Sequence, residues 1–388
     1  MENFEVVNPT RIVFGKNQLH RLPELLLTCN AKNILLVYGG GSVKRIGLYD
    51  NVVSQLKQFN LIEFGGVEAN PEFATLMKAV EIGRKNGIDF IIALGGGSVI
   101  DGCKFISGAI PYVGDPWDVL EKKQGCVFNE AIPFGTILTL PATGSEANSG
   151  AVISRSEIQG KRTMGGPLFF PAFSFCDPSV VASLPKRQLA NGVIDAFMHT
   201  LEQYLTYPTD NLLQEREAEG ILSTLIEVAN VVDHPNDYKL ASNLMHAATH
   251  ALNGNLRCGV PTDWTTHMIG HELTAMFGID HAQSLAIVAP RLYEYKFIDK
   301  QEKLTQYGQR IWKLQGDNES IAKEAIRQTE LFFQSLGVAT KLSEYTQNYE
   351  GTGERIKSIF EQRGWLNIGE RKNITPVDVE NIVKNTYA

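Results

Sequence analysis

The chain has 388 residues, 43% of them hydrophobic and 20% charged, and carries a net charge of -7. That length exceeds one ordinary compact core and implies two domains, while the acidic balance argues against a nucleic-acid or anionic-membrane surface. The opening MENFEVVNPTRIVFG has no leader-like segment, no apolar run is long enough for a membrane span, and the five scattered cysteines include no CxxC. A cytoplasmic protein with free thiols is expected.

Residues 3–15 read as extended, either an edge strand or a hairpin. The run Asn33 to Tyr38 (NILLVY) suits a buried parallel strand and ends in Gly39-Gly40-Gly41-Ser42, after which 43–59 shows helical periodicity. A helix over 72–85 leads to a strand over 89–94, closed by Gly95-Gly96-Gly97-Ser98. A third strand, 134–140, runs into Pro141-Ala142-Thr143-Gly144-Ser145-Glu146. Strands that alternate with helices and break at glycine imply a Rossmann-like parallel sheet, which binds ligands outside its carboxyl edge. Glycine loops there let backbone N–H groups approach phosphate. None of the three is a G-x-G-x-x-G or a P-loop, which counts against a nucleotide hydrolase or kinase.

Beyond Pro185 the strand pattern stops. Helices are expected over 186–205, 212–232, 238–252, 263–277, 281–295, 301–314, 319–336 and 376–387, with a loop over 351–353. The expected organisation is therefore an α/β domain over 1–185 followed by an all-helical domain over 186–388.

The helical half carries the chemistry. Asp195 and His199 are four residues apart, as are His267 and His271, and His281 follows. Residues at i and i+4 lie one above the other on a helix, so each pair can address one centre. One carboxylate and three imidazoles make a fitting ligand set for Fe2+ or Zn2+. Gly278 is placed to end the His267 helix, and Asp280 with Gln283 to cap the next, which folds His281 back towards His267. His246 and His250 are a rival i,i+4 pair, and spacing alone does not choose between the two.

The chain resembles the iron-containing (group III) alcohol dehydrogenases over nearly its whole length. The carriers are Asp177-Pro178, Leu184-Pro185, Gly192-Val193-Ile194-Asp195-Ala196-Phe197 with His199 and Glu202, Trp264 with His267, Gly270-His271, His281-Ala282, and the Gly95–Ser98/Asp101 and Thr143–Glu146 loops. Asn8-Pro9-Thr10, Tyr38–Ser42 and Ala251-Leu252-Asn253-Gly254 make it most similar to the butanol dehydrogenase and NADPH-dependent aldehyde reductase branch. The resemblance implies a nucleotide-binding α/β domain, an all-helical metal domain and an active site in the cleft between them. It also implies a homodimer and hydride transfer between NADP(H) and a small alcohol or aldehyde.

Its metal ligands map onto Asp195, His199, His267 and His281, whereas His271 maps onto a histidine near the metal and nicotinamide. We assign His271 a catalytic proton relay, the alternative being that it orients a ligand or packs against the ring. His246 and His250 match no ligand. For the cofactor, the resemblance points to Gly96, Gly97, Ser98, Asp101, Thr139, Thr143, Asn148, Lys161 and Leu184, together with the Gly39, Gly40, Gly41 and Ser42 loop. NAD-preferring members carry an aspartate where Gly39 stands, and that acid repels a 2′-phosphate. Glycine here, with Ser42, Lys44 and Arg45 close by, favours NADP(H) over NAD(H). A dehydroquinate-synthase-like lyase, a glycerol-dehydrogenase-like zinc enzyme and a non-catalytic cofactor-binding protein are the alternatives.

Overall fold

The computed structural model describes residues 1–158 and 160–387. The chain forms two compact units: Val7–Leu184 with His234–Asn253, and Met1–Val6 with Pro185–Asp233 and Gly254–Ala388.

The strands of the first unit are β1 (Arg11–Phe14), β2 (Asn33–Tyr38), β3 (Asn60–Gly65), β4 (Phe90–Gly95), β5 (Phe134–Leu138), β6 (Ala151–Arg155), β7 (Gly160–Met164) and β8 (Phe173–Cys176). Six of them make an all-parallel sheet in the order β1-β8-β5-β4-β2-β3, and β6 and β7 form a separate antiparallel pair. The extended N-terminal segment is an edge strand, β1, paired only with β8 in that order. Strands β4, β5 and β8 are buried along their whole length, and β4 for that reason reads as a continuous apolar run. Ile34, Leu36, Phe90, Ile92, Phe173 and Phe175 join Leu22, Leu25 and Val52 in one core.

The chain places β3 on one side of β2 and β4 on the other, so the winding reverses between β2 and β4. A parallel sheet opens a crevice at such a point, outside its carboxyl edge. The loops that flank it here are Gly39–Gly41 and Gly96–Ser98. The predicted helix over 43–59 is two helices, Ser42–Arg45 and Leu48–Gln55, separated at Gly47 with φ 73°. A side chain resists that left-handed conformation, whereas glycine adopts it freely.

The second unit is helical. Its helices include Lys186–Tyr204, Thr265–Phe277 and His281–Tyr295, and the predicted loop over 351–353 proves to be the start of a helix, Thr352–Gln362. Gly351 takes φ 73° as its cap, so the glycine marks a helix entry and not a longer loop. The predicted helix over 301–314 is shifted to Phe297–Arg310. Among the described residues no helix is long and apolar enough to cross a membrane.

Candidate metal centre

The helix Lys186–Tyr204 is buried from Gly192 to Tyr204, unusual for a helix that carries Asp195, His199 and Glu202 on successive turns. All three are nearly inaccessible, as is His267 on the helix Thr265–Phe277. Gly278, with φ 67°, ends that second helix, and Asp280 with Gln283 forms the capping box that starts the helix His281–Tyr295. A Cβ on Gly270 would lie 2.9 Å from Ser284 Oγ and 3.0 Å from Leu285 Cδ2. Glycine at 270 is what lets these two helices close on each other.

The result is a ring of nitrogens around one carboxylate oxygen. Nε2 of His199 and of His281 each lie 3.7 Å from Asp195 Oδ1, and His267 Nε2 lies 4.0 Å from it. Ligand atoms of Asp195, His267 and His281 are all within 4.8 Å of one another. The His199 and His267 rings stack with centroids 4.7 Å apart, and the His267 and His281 centroids are 5.1 Å apart. These N–O gaps are too long for hydrogen bonds, which close to about 2.7–3.2 Å. They are near the roughly 3.4 Å that separates two ligands about 2.1 Å from one tetrahedral ion.

Two atoms decide whether the pocket fits a cation. Asp195 Oδ1 and His267 Nε2 are buried, and neither has a hydrogen-bond partner among the described residues. A buried carboxylate oxygen and an imidazole lone pair, both unsatisfied and turned towards each other, repel unless something positive lies between them. The site fits a divalent ion.

Glu202 sets the chemical state of His267. One oxygen, Oε1, accepts from the backbone N–H of Thr266 at 2.8 Å and of His267 at 3.3 Å, while Oε2 accepts from His267 Nδ1. With Nδ1 carrying the proton, Nε2 presents its lone pair to Asp195, which is the tautomer a metal requires. Burial holds the His267 ring at a pKa of about 4, so it is neutral at physiological pH. Burial, reinforced by nearby Asp263, pushes the Glu202 carboxyl well above its ordinary range. Asp263 is itself held low, to about 2, by Lys300, whose ammonium is 2.9 Å from it and 3.0 Å from Glu370. His271 presents its ring edge-on to His267, at 6.2 Å between centroids, and lies 4.9 Å from the His281 ring. His246 and His250 belong to the other unit, with their rings edge to face at 4.6 Å, and do not join the group.

In the sheet unit several of the predicted cofactor residues meet at the Gly97 helix, Gly97–Ala109. A Cβ on Gly97 would stand 2.5 Å from Thr143 Oγ1, and one on Gly39 would be 3.5 Å from Val99 Cγ2, so three glycine-bearing loops abut here. Thr139 N–H donates to Gly95 O at 3.0 Å. Ser98 Oγ accepts from Asn70 N–H at 3.3 Å, and Lys161 Nζ donates to Asn70 Oδ1 at 2.7 Å. Leu184 closes the short helix Pro178–Ser183. Gly40 has open space where a side chain would be, and Gly41 meets only Arg45 Nη1.

Asp101 and Asn148 are tied into the scaffold. Asp101 accepts from Ser145 Oγ at 2.6 Å and from Val152 N–H at 2.9 Å. Asn148 Oδ1 accepts from Lys104 Nζ at 2.9 Å, and its Nδ2 donates to Gly144 O at 2.9 Å. Lys104 escaped the sequence reading. It is fully buried, donates also to Ser145 Oγ and Gly150 O at 2.7 Å each, and is lowered to about 8 by burial. The signal available was a lone lysine within the apolar stretch GCKFISGA. Glu202 was visible only as part of a motif, although it sits seven residues beyond Asp195 on the same helix face.

A cavity of about 620 Å³ lies at the carboxyl ends of β1, β5 and β8, lined by Leu138, Phe175, Val180, Ser183, Ile46 and Leu48.

Comparison with known proteins gives these arrangements a family. The family model described as iron-containing alcohol dehydrogenase matches residues 9–178, and its C-terminal counterpart matches 189–387. The chain belongs to the iron-containing alcohol dehydrogenase family. It is an enzyme, an oxidoreductase. The NADPH-dependent aldehyde reductase YqhD of Escherichia coli (strain K12) is 47% identical over 97% of each chain. The probable NADH-dependent butanol dehydrogenase 1 of Bacillus subtilis (strain 168) is 39% identical over 99% of each. A crystal structure of E. coli K-12 YqhD superposes with a TM-score of 0.96 at 45% identity, covering 99% of both chains. The parallel-sheet unit and helical unit expected from the sequence are thus the fold of this family.

The depressed pKa of His267 has a consequence for the metal-free protein. The unfolded ring binds a proton below about 6.5, while the folded ring resists until about 4, so acidification favours the unfolded chain across that interval. Metal-stripped protein should lose about 2 kcal/mol of stability between pH 7 and pH 5 from this group. Urea unfolding of the stripped protein at the two pH values measures it, and His267→Gln should remove that part of the loss.

Proposed function

We propose that the protein is a metal-dependent reductase that transfers hydride between NADP(H) and a small aldehyde or alcohol. The observation that carries it is the buried, unsatisfied pair of Asp195 Oδ1 and His267 Nε2 within a ring of imidazoles. In this reading Asp195, His199, His267 and His281 hold one Fe2+ or Zn2+. When bound, the ion supplies Lewis acidity to a substrate oxygen and the nicotinamide supplies or accepts the hydride.

The chain's own residues do the rest. Asp195 contributes the single negative charge among three rings, which leaves a divalent ion half balanced and favours an anionic oxygen beside it. Glu202 keeps His267 in its ligating tautomer. The side chain of His281 is 27% exposed and the others are buried, so substrate approaches on the His281 side. There His271 stands next to His281 and takes the proton-relay role.

The sheet unit holds the cofactor in this reading. The amino end of the Gly97 helix and the loops around Thr143 and Gly39 offer backbone N–H groups and a helix dipole to the pyrophosphate. The 620 Å³ cavity has the volume of a nucleoside pocket and takes the adenosine end. The two relatives named above divide between NADPH and NADH, so the preference is argued from residues. Gly39 places no acid at the ribose. Lys44 is drawn aside, its ammonium 4.9 Å from the Tyr38 ring centroid and 4.4 Å from that of Tyr49. Arg45 turns its Nη1 back towards Gly41. Ser42 and Arg45 are therefore the groups we assign to the 2′-phosphate. The reading also takes the enzyme as a cytoplasmic homodimer.

The direct test is NADPH oxidation with butanal, followed by the absorbance of the reduced nicotinamide. Aldehyde-dependent oxidation that disappears on chelation and returns with Fe2+ or Zn2+ supports the reading, and its absence with intact, metal-loaded protein overturns it. Gly39→Asp should shift the NADPH:NADH ratio of kcat/KM towards NADH by about tenfold or more. The new Cβ would be 3.2 Å from Val67 O, a tight contact that a small shift relieves. His271→Ala should keep its metal but lose about 10²-fold or more in kcat with an altered pH profile, and an unchanged rate would remove the relay.

A further inference from the structure

Along the helix Lys186–Tyr204, Arg187, Asn191 and Asp195 follow one another at i,i+4 spacing, so each lies one turn above the last. The first two hold Asp280. Arg187 donates from Nε to Oδ2 and from Nη2 to Oδ1, each at 2.5 Å, and Asn191 Nδ2 donates to Oδ2 at 2.6 Å. This planar, two-point grip fixes orientation as well as distance. Asp280 immediately precedes His281 and forms the capping box of its helix with Gln283, whose Oε1 accepts from Asp280 N–H at 3.0 Å.

The geometry therefore runs in a closed loop. Asp195 lies one helical turn, about 6 Å, beyond Asn191. His281 Nε2 returns to within 3.7 Å of Asp195 Oδ1. On its other side the His281 turn is held by Ser284 Oγ, which donates to His281 O at 2.7 Å, and by Thr274 Oγ1, which donates to Ser284 Oγ at 3.2 Å. His281 is the first residue of its helix, a position that frays without such ties. It is also the most exposed of the four proposed ligands.

We propose that Arg187 and Asn191 are positioning residues for the metal: through Asp280 they hold His281 against Asp195 and so set how tightly the ion is kept. The inference rests on the metal reading given above. Neither residue touches the ion, and one helix thereby supplies two ligands and aligns a third.

The test measures metal affinity of the full-length, metal-stripped protein by competition of Zn2+ with a chromophoric chelator, together with the visible spectrum of the Co2+ form. Asn191→Leu and Arg187→Gln leave the capping box in place, and Asp280→Asn keeps a capping side chain while losing the charge. Asn191→Leu and Asp280→Asn should each weaken Zn2+ binding by about 10- to 100-fold and alter the Co2+ spectrum towards that of His281→Ala. Their unfolding midpoints without metal should stay near the wild type's. The double variant Asn191→Leu/His281→Ala should bind no more weakly than His281→Ala alone, because the clamp acts only through that ring. Wild-type affinity in all three clamp variants, or losses that multiply in the double variant, overturn the inference. If the wild type itself binds no Zn2+ or Co2+, the metal reading falls and this inference with it.

Discussion

A carboxylate oxygen buried among imidazoles governs the helical unit. Asp195 Oδ1 is ringed by three Nε2 atoms at 3.7–4.0 Å and bonded to no described group. Removing that charge from water costs several kcal/mol unless a counter-charge stands beside it. Protonating the rings would supply one, but burial keeps His267 neutral down to about pH 4. A positive charge seated among these atoms would satisfy them, and the surrounding structure holds the side chains in place around that point.

Those devices come from remote parts of the chain. Glu202 fixes the His267 tautomer while capping two N–H groups of that helix. Gly270 removes the side chain that would force the His267 and His281 helices apart. Lys300 balances Asp263 and Glu370 close behind Glu202. A buried ionic cluster of this kind adds little net stability, yet losing one partner would leave an unpaired charge. Its contribution is a rigid backing for the ligands.

The sheet unit follows a different rule, which is the absence of side chains. Gly97 stands where Thr143 leaves no room for a side chain, Gly39 has Val67 O close by, and the loops that converge on the β2/β4 reversal are small or hydroxylic. Beneath them Lys104 spends all three ammonium protons on Ser145, Asn148 and Gly150. Asp101 and Asn148, which the resemblance gave to the cofactor, thus have their polar atoms engaged in shaping the loop. Membership of the iron-containing alcohol dehydrogenase family covers both halves together, one family model matching residues 9–178 and the other 189–387.

The sequence by itself determined the parts whose signal is local. Strands β2 and β4 stood out because burial on both faces demands an unbroken apolar run, and the His281 entry because capping residues sit beside the helix they start. Strand β3 escaped because it is the half-exposed edge of the sheet, and β8 because four residues are too short a run. The Thr352 helix was hidden by the glycines around its first residue. Spacing could not choose between His267 and His246, since two i,i+4 pairs look alike; the family resemblance favoured His267, and the tertiary structure set its Nε2 opposite Asp195. It likewise decided that the helix Tyr238–Ala251 joins the sheet unit and that Arg187 reaches Asp280 across 93 residues. Periodicity records which face of an element is buried, but which other element it is buried against depends on the packing of the whole chain.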